Sequence, residues 1–261
     1  AVPSATGVAL DADAEETRPV DARGYVNADT AEVEALDTST VTIAVVDTGF
    51  NTGSGAILGD RGADDYYSPR LLPESKSMIS DQTVASDGLS AVADGNGHGS
   101  FVASQILSDP SDAAFQGLLP NANLLVVRAL DDSGSGATAD IANGIRYAAD
   151  QGADVICMSL GSPIYGADLE RALAYAVDKG SVPVAAAGND RQGTRWIATP
   201  ASSEFAIGVG AVTGAPPADS QSAYFSNIGR HPGTTDLSKG QTNGARPDVA
   251  APGMKMRALV G

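Results

Sequence analysis

An aspartate ends one apolar run, a histidine opens another, and an asparagine follows a third. These residue types can orient a base, move a proton and stabilise negative charge. Asp47 lies in Val45-Val46-Asp47-Thr48-Gly49. An acid at the carboxyl end of a buried strand stands where open parallel sheets bind ligands, although an aspartate capping the strand before a tight glycine turn has the same pattern. Asp-Thr-Gly is also the core of aspartic protease sites, but that chemistry needs two carboxylates sharing a proton, and the chain has no second copy. His98 stands in Asp94-Gly95-Asn96-Gly97-His98-Gly99-Ser100 and opens the helical run 101–107. Glycines on both sides let backbone pack close and leave the imidazole reachable, as a general base requires; a histidine that only begins a helix is the alternative. The other histidine, His231, reads as part of a surface turn. Asn189, in Ala185-Ala186-Ala187-Gly188-Asn189-Asp190, places an amide where it can donate to a developing oxyanion or simply suit a turn. Ser159-Leu160-Gly161 and Ser133-Gly134-Ser135-Gly136 are small segments after apolar runs. Such segments admit an extended peptide that pairs through its backbone, and by themselves are ordinary turns.

Holding these residues requires strands and helices in alternation. The runs 41–46, 124–127, 155–158, 182–187 and 205–209 are nearly continuous in apolar residues, the pattern of strands buried on both faces. Leu169, Ala172, Leu173, Ala176 and Val177 recur at i, i+3, i+4, i+7 and i+8, one helical stripe with Gly180 as its stop. Ile141, Ile145 and Ala148 mark a second helix stopped by Gly152. This rhythm predicts an α/β fold, a central parallel sheet covered by helices. Residues 51–95, rich in Gly, Asp and Ser, read as loop insertions. Residues 1–40 read as an acidic lead-in segment, and 41–261 as one domain.

Composition narrows the partners. The 261 residues are 43% hydrophobic, enough for one large core. The net charge is −16, from 25 Asp and 7 Glu against 12 Arg and 4 Lys. Nucleic acid is not an expected partner, because phosphate binding needs clustered Lys and Arg. An acidic, Lys-poor surface keeps a protein soluble and monomeric; it suits life in high salt or calcium binding, and a GC-rich genome accounts for it as well as those two together. Asp60, Asp64, Asp65, Asp109 and Asp112 offer the oxygen ligands calcium takes, so a structural calcium is an open expectation, set against acids that are merely solvated. The lone cysteine, Cys157, allows no internal disulfide and reads as a buried, inert thiol. No run has the length of a membrane span. With no initiator Met and no basic-then-apolar leader, residue 1 reads as a processed or trimmed start.

Taken together, in the order Asp, His, Asn, the motifs resemble those of the subtilases, the subtilisin-like serine proteases of peptidase family S8. Val45-Val46-Asp47-Thr48-Gly49 looks like the family's aspartate motif. Asn96-Gly97-His98-Gly99-Ser100 looks like its histidine motif, with Ser100 where Thr is usual and Phe101 where His is usual. Ala186-Ala187-Gly188-Asn189 resembles the oxyanion motif, and the segment 246–253, ending in Ala251-Pro252-Gly253, resembles the stretch before the serine motif. The resemblance runs from about Val41 to the last residue. It implies a three-layer sandwich in which Asp47 orients His98, His98 is the general base and Asn189 stabilises the oxyanion. It implies that Ser159, Leu160 and Gly161 pair with substrate backbone, opposite Ser133, Gly134, Ser135 and Gly136, with Ala187 and Gly188 lining a pocket. Polypeptide substrates, no cofactor for catalysis and an extracellular or cell-surface location follow from the same resemblance. The departure is the nucleophile: Gly-Thr-Ser occurs nowhere. The serine is therefore expected downstream of residue 261, and this stretch alone is expected to be inactive and poorly folded, with apolar surface uncovered on the strands from Val41 and Val182. A non-catalytic relative that binds peptides in the same cleft is the alternative.

A net charge of −16 repels itself, and mobile ions screen that repulsion. The thermal midpoint should rise from low to molar sodium chloride; a flat or falling trend would remove the electrostatic argument. Calcium added at fixed ionic strength separates specific binding from screening.

Overall fold

The computed structural model describes residues 22–51, 70–108, 116–191, 193, 196–213, 219–229, 246–254 and 256. Two short helices, α1 (Ala22–Tyr25) and α2 (Ala31–Glu34), precede strand β1 (Thr42–Asp47). Strand β2 (Lys76–Ser77), helix α3 (Val84–Asp87), a 3-10 turn over Leu89–Val92 and helix α4 (His98–Leu107) follow. The alternation then becomes regular: β3 (Asn123–Arg128), α5 (Thr138–Asp150), β4 (Val155–Met158), α6 (Ala167–Asp178), β5 (Val182–Ala186), β6 (Ile207–Val212) and β7 (Val249–Pro252).

Among the described residues the strands form one seven-stranded sheet in the order β2-β3-β1-β4-β5-β6-β7, and every pairing is parallel. All five predicted strands are present. β2 and β7 are additions that periodicity did not reveal, because two residues and a Val-Ala-Ala-Pro stretch carry no readable pattern. The segment read as loop insertions holds β2, α3 and the 3-10 turn. These pieces rest on local chemistry: Thr83 and Ser86 form a reciprocal capping box at the start of α3, and β2 is anchored by pairing with β3. The predicted lead-in also docks where it is described. Arg23 donates to the Gly117 carbonyl at 2.7 Å, and the Tyr25 hydroxyl to Ser220 Oγ at 2.6 Å.

Alternate strand residues face opposite sides of the sheet. Ala44, Val46, Leu125, Val127, Ile156, Met158 and Ala185 pack with Ile145 of α5 and Leu173 of α6 in one buried cluster. Ile43, Val45, Leu124 and Val126 face the other way, against Ala103 and Leu107 of α4, Phe50 and Val92. β1 and β3 are therefore buried on both faces, as their apolar runs predicted. β5 and β6 are not. Val182 is 44% exposed, Ile207 39% and Val249 52%, and register places them on the face that α4 covers over β1 and β3. Of the two strands expected to be uncovered, the one from Val182 is open on one face, whereas β1 is sealed by α4.

Gly152 (φ 76°) and Gly180 (φ 96°) follow α5 and α6 in the left-handed conformation, the region glycine enters without steric cost. The α6 stripe is narrower than predicted. Leu169, Ala172, Leu173 and Ala176 are buried, but Val177 is 42% exposed, since at about 100° per residue it lies about 80° round from Leu169. Leu173→Ala should cost about 2–5 kcal/mol by opening a cavity, and Val177→Ala no more than about 0.5 kcal/mol. Equal losses in denaturant melts would refute this assignment of faces.

Candidate active site

Asp47 is the last residue of β1 and His98 the first of α4. Between them they bridge 51 positions of chain with a contact of 2.8 Å from His98 Nδ1 to Asp47 Oδ1. Asp47 is buried. Its Oδ1 also accepts from the Thr48 amide at 2.7 Å, while Oδ2 is buried without a hydrogen-bond partner among the described residues. A carboxylate that accepts at Nδ1 fixes the tautomer with the proton there, leaving Nε2 as the basic nitrogen. Burial of the imidazole opposes its protonation. The hydrogen bond to Asp47, and the charges of Asp47 and Asp94, outweigh that effect and raise the His98 pKa above its ordinary value.

The approach of α4 to β1 depends on missing side chains. A Cβ on Gly99 would collide with the Gly49 carbonyl, and one on Gly49 would lie 2.5 Å from the Val92 carbonyl. Gly97, at φ 93°, caps α4 in the left-handed conformation and supplies no side chain to the helix amides. Others do so: His98 N donates to Asn96 Oδ1 at 3.3 Å, Gly99 N to Thr48 Oγ1 at 2.9 Å and Ser100 N to Asp94 Oδ2 at 2.9 Å. The first-turn donors that every helix leaves unpaired are thereby satisfied from neighbouring segments.

The remaining candidates lie at the same edge of the sheet. Ser159-Leu160-Gly161 follows β4, whose ladder to β5 ends at Met158 and Ala185. Gly161 packs close to Ala198: a Cβ there would lie 2.8 Å from that of Ala198. Ala187 and Gly188 follow β5; Ala187 is buried, and Gly188 has φ 101°. Asn189 is exposed, two strands from Asp47 in the order β1-β4-β5, a separation of about 10 Å at the usual strand spacing. Ser133-Gly134-Ser135-Gly136 is a tight turn. Asp131 Oδ1 accepts from Ser133 N at 2.9 Å, Ser133 Oγ at 2.6 Å and Ser135 N at 3.0 Å, and Asp131 N donates to Ser135 O at 2.8 Å.

The sequence matches the Subtilase family across residues 38–260. The chain belongs to the subtilase family. It is 49% identical over 118 residues to the thermophilic serine proteinase of Bacillus sp. (strain AK1), a stretch that covers 45% of this subtilase chain and 29% of that relative. Over 239 residues it is 33% identical to subtilisin Savinase of Lederbergia lenta, covering 86% of this chain and 79% of the relative. Among solved structures, sphericase superposes with a TM-score of 0.71 at 29% identity, over 95% of this chain and 76% of the other. The chain thus spans less than a third of the first relative's length. The subtilase fold is a three-layer α/β sandwich around a parallel sheet, the arrangement found here.

Two residues at this subtilase site have roles that the motifs did not reveal. Asp94 lies two positions before the histidine motif, and an Asp before Gly-Asn-Gly reads only as turn chemistry. Asn227, buried, brackets Asn189: Gly188 O accepts from Asn227 N at 2.9 Å, and Asp190 N donates to Asn227 Oδ1 at 2.7 Å. No local sequence signal ties position 227 to 189. Cys157, on β4 beside Val45 of β1, is partly buried, and burial together with the Asp47 charge pushes its thiol up to about 12, so it stays protonated. His231 and the five loop acids named for calcium lie outside the described residues. Among the described residues no group of three His, Cys, Asp or Glu side chains is placed to hold a metal, and no helix is long and apolar enough to cross a membrane.

Because its folded pKa is raised, His98 should titrate above the ordinary value of about 6.5. Its protonation then stabilises the fold fully below that value, and the contribution is lost as pH rises through the folded pKa. NMR titration of the His98 ring should show this midpoint, and Asp47→Asn should lower it. A midpoint unmoved by Asp47→Asn would dissolve the pair.

Proposed function

We propose that the protein containing this chain is a serine endopeptidase that hydrolyses peptide bonds in polypeptides through an Asp-His-Ser triad. The observation that carries the reading is the 2.8 Å contact between His98 Nδ1 and buried Asp47. With Nδ1 committed to Asp47, Nε2 is the nitrogen that takes the hydroxyl proton of a serine as its oxygen attacks the scissile carbonyl. It then returns that proton to the leaving amine. The imidazolium formed between these steps is stabilised by Asp47, whose second oxygen has no other partner among the described residues. Asn189, beyond the end of β5, donates to the oxyanion. Ser159, Leu160 and Gly161, past the end of the β4–β5 ladder, offer backbone to an extended substrate. Ser133 and Ser135 spend their amides inside the Asp131 turn, so Gly136 and the outer rim of that turn form the opposite wall.

The nucleophile is assigned to a segment downstream of residue 261. The half-open apolar face bearing Val182, Ile207 and Val249 supports this placement, since a further helix laid there would bury it. The peptidase domain is placed from residue 41 onward, acting as a monomer outside the cell or on its surface, and its chemistry needs no cofactor. A binding-only relative would have no use for a buried acid that raises the basicity of a reachable histidine.

In the full-length protein, His98→Ala should lower turnover by about a millionfold while peptide binding persists, a magnitude that is subtilisin's own. Asn189→Ala should lower it by roughly a hundredfold with little change in KM, again on the scale of subtilisin's oxyanion asparagine. Turnover retained without His98 would sink the base assignment. A change in KM alone for Asn189→Ala would argue for ground-state binding.

A further inference from the structure

The carboxylate of Asp94 is buried and collects five hydrogen bonds. Oδ1 accepts from Thr48 Oγ1 at 2.8 Å, Asn96 N at 3.1 Å and Gly97 N at 2.8 Å. Oδ2 accepts from Ser100 N at 2.9 Å and Ser100 Oγ at 2.7 Å. Its backbone is gripped as well: Asp94 N donates to Asn51 Oδ1 at 3.2 Å, and Asn51 Nδ2 donates to Asp94 O at 2.8 Å. The circuit closes through two hydroxyls. Thr48 Oγ1 accepts from Gly99 N at 2.9 Å, and Ser100 Oγ accepts from Asn51 N at 2.9 Å. Thr48 and Asn51 flank the turn that leaves Asp47, whereas Asn96, Gly97, Gly99 and Ser100 surround His98.

We propose that Asp94 is a positioning residue for the Asp47–His98 pair, its buried carboxylate clamping the turn and first helical residues that carry His98 to the segment that follows Asp47. The proposal deepens the triad reading and rests on it. Only a carboxylate satisfies this geometry, because three amides and two hydroxyls converge on two oxygens that must both accept. An asparagine there would turn an NH2 group toward donors on one side. Burial by itself would raise the Asp94 pKa, but the donors from Ser100, Gly97 and Thr48 more than offset it and hold it below the usual carboxylate range. The clamp therefore stays charged wherever a histidine base works. It fixes His98 without touching the imidazole, so the ring is preorganised while Nε2 takes up and releases its proton.

The charges around His98 bound the experiment. Asp47 at the end of β1 and Asp94 act on it directly, Arg128 of β3 donates to Thr48 O and pairs with Asp132, and Cys157 of β4 is neutral. In the full-length protein, Asp94→Asn should lower kcat by about tenfold to a hundredfold with KM nearly unchanged, and should lower the His98 NMR midpoint. A fall in thermal midpoint alone, with kcat and the His98 titration unchanged in the folded fraction, would overturn the proposal. Should Asp94→Asn fail to fold, Thr48→Val keeps the carboxylate but removes the hydroxyl that joins it to Gly99, and Thr48→Ser restores that hydroxyl. Lower kcat in the first, recovered in the second, supports the clamp; no change in either refutes it. Asp47→Asn is the control for the underlying reading. If it too leaves kcat intact, the triad has failed, and the His98 titration in Thr48→Val, which keeps the Asp94 charge, still decides whether the clamp exists: a shifted midpoint restored by Thr48→Ser supports it, and an unmoved one refutes it.

Discussion

The bond from His98 to Asp47 joins an imidazole to a carboxylate that water does not reach. Removing a charge from water costs several kcal/mol unless partners replace the lost hydration, and Asp47 Oδ1 finds them in the Thr48 amide and His98 Nδ1. The charges of Asp47 and Asp94 favour the imidazole when it takes a proton. That is a demanding arrangement to hold still, because the partners come from different elements and neither backbone is paired with the other.

Parallel topology meets most of the demand. When every strand runs the same way, all carboxyl ends lie on one edge, and each connection must return along a face of the sheet. The order β2-β3-β1-β4-β5-β6-β7 sets β1, β4 and β5 side by side. Asp47, the segment 159–161 and Asn189 become neighbours although more than a hundred residues separate the first from the last. The return of α4 across β1 brings His98 to the same edge. Its closeness is set by Gly49 and Gly99, where any Cβ would strike backbone.

Local polar circuits supply the finer positioning. The Asp94 carboxylate does for α4 what an N-cap side chain does for an ordinary helix, but from outside the helix and with a charge. Asn227 does the same for the turn of Asn189, and Asp131 for the turn of Ser133. In each case a short polar side chain occupies backbone donors that would otherwise be left without partners, and the segment carrying a functional group is held by a residue that carries none.

Much of the chemistry was legible in local sequence. The strands around Val45, Val126, Ile156, Ala185 and Val209, the helices stopped by Gly152 and Gly180, and the motifs containing Asp47, His98 and Asn189 all announce themselves within a dozen residues, because periodicity and turn preference are short-range properties. Two-residue β2, alanine-rich β7 and α3 were invisible for the same reason: their stability comes from strand pairing or a cap, not from a pattern. Tertiary structure alone decided that Val177 turns to solvent and that one face of β5 and β6 stays half open. It also decided which polar residues matter beyond the motifs. Asp94 reads as a turn residue and Asn227 as nothing in particular, since what they do depends on donors contributed by segments up to 46 positions away. Residue types thus determined which groups are able to do chemistry, while the packing of parallel strands and helices determined which of them meet, because hydrogen bonds act over about 3 Å whatever the distance along the chain.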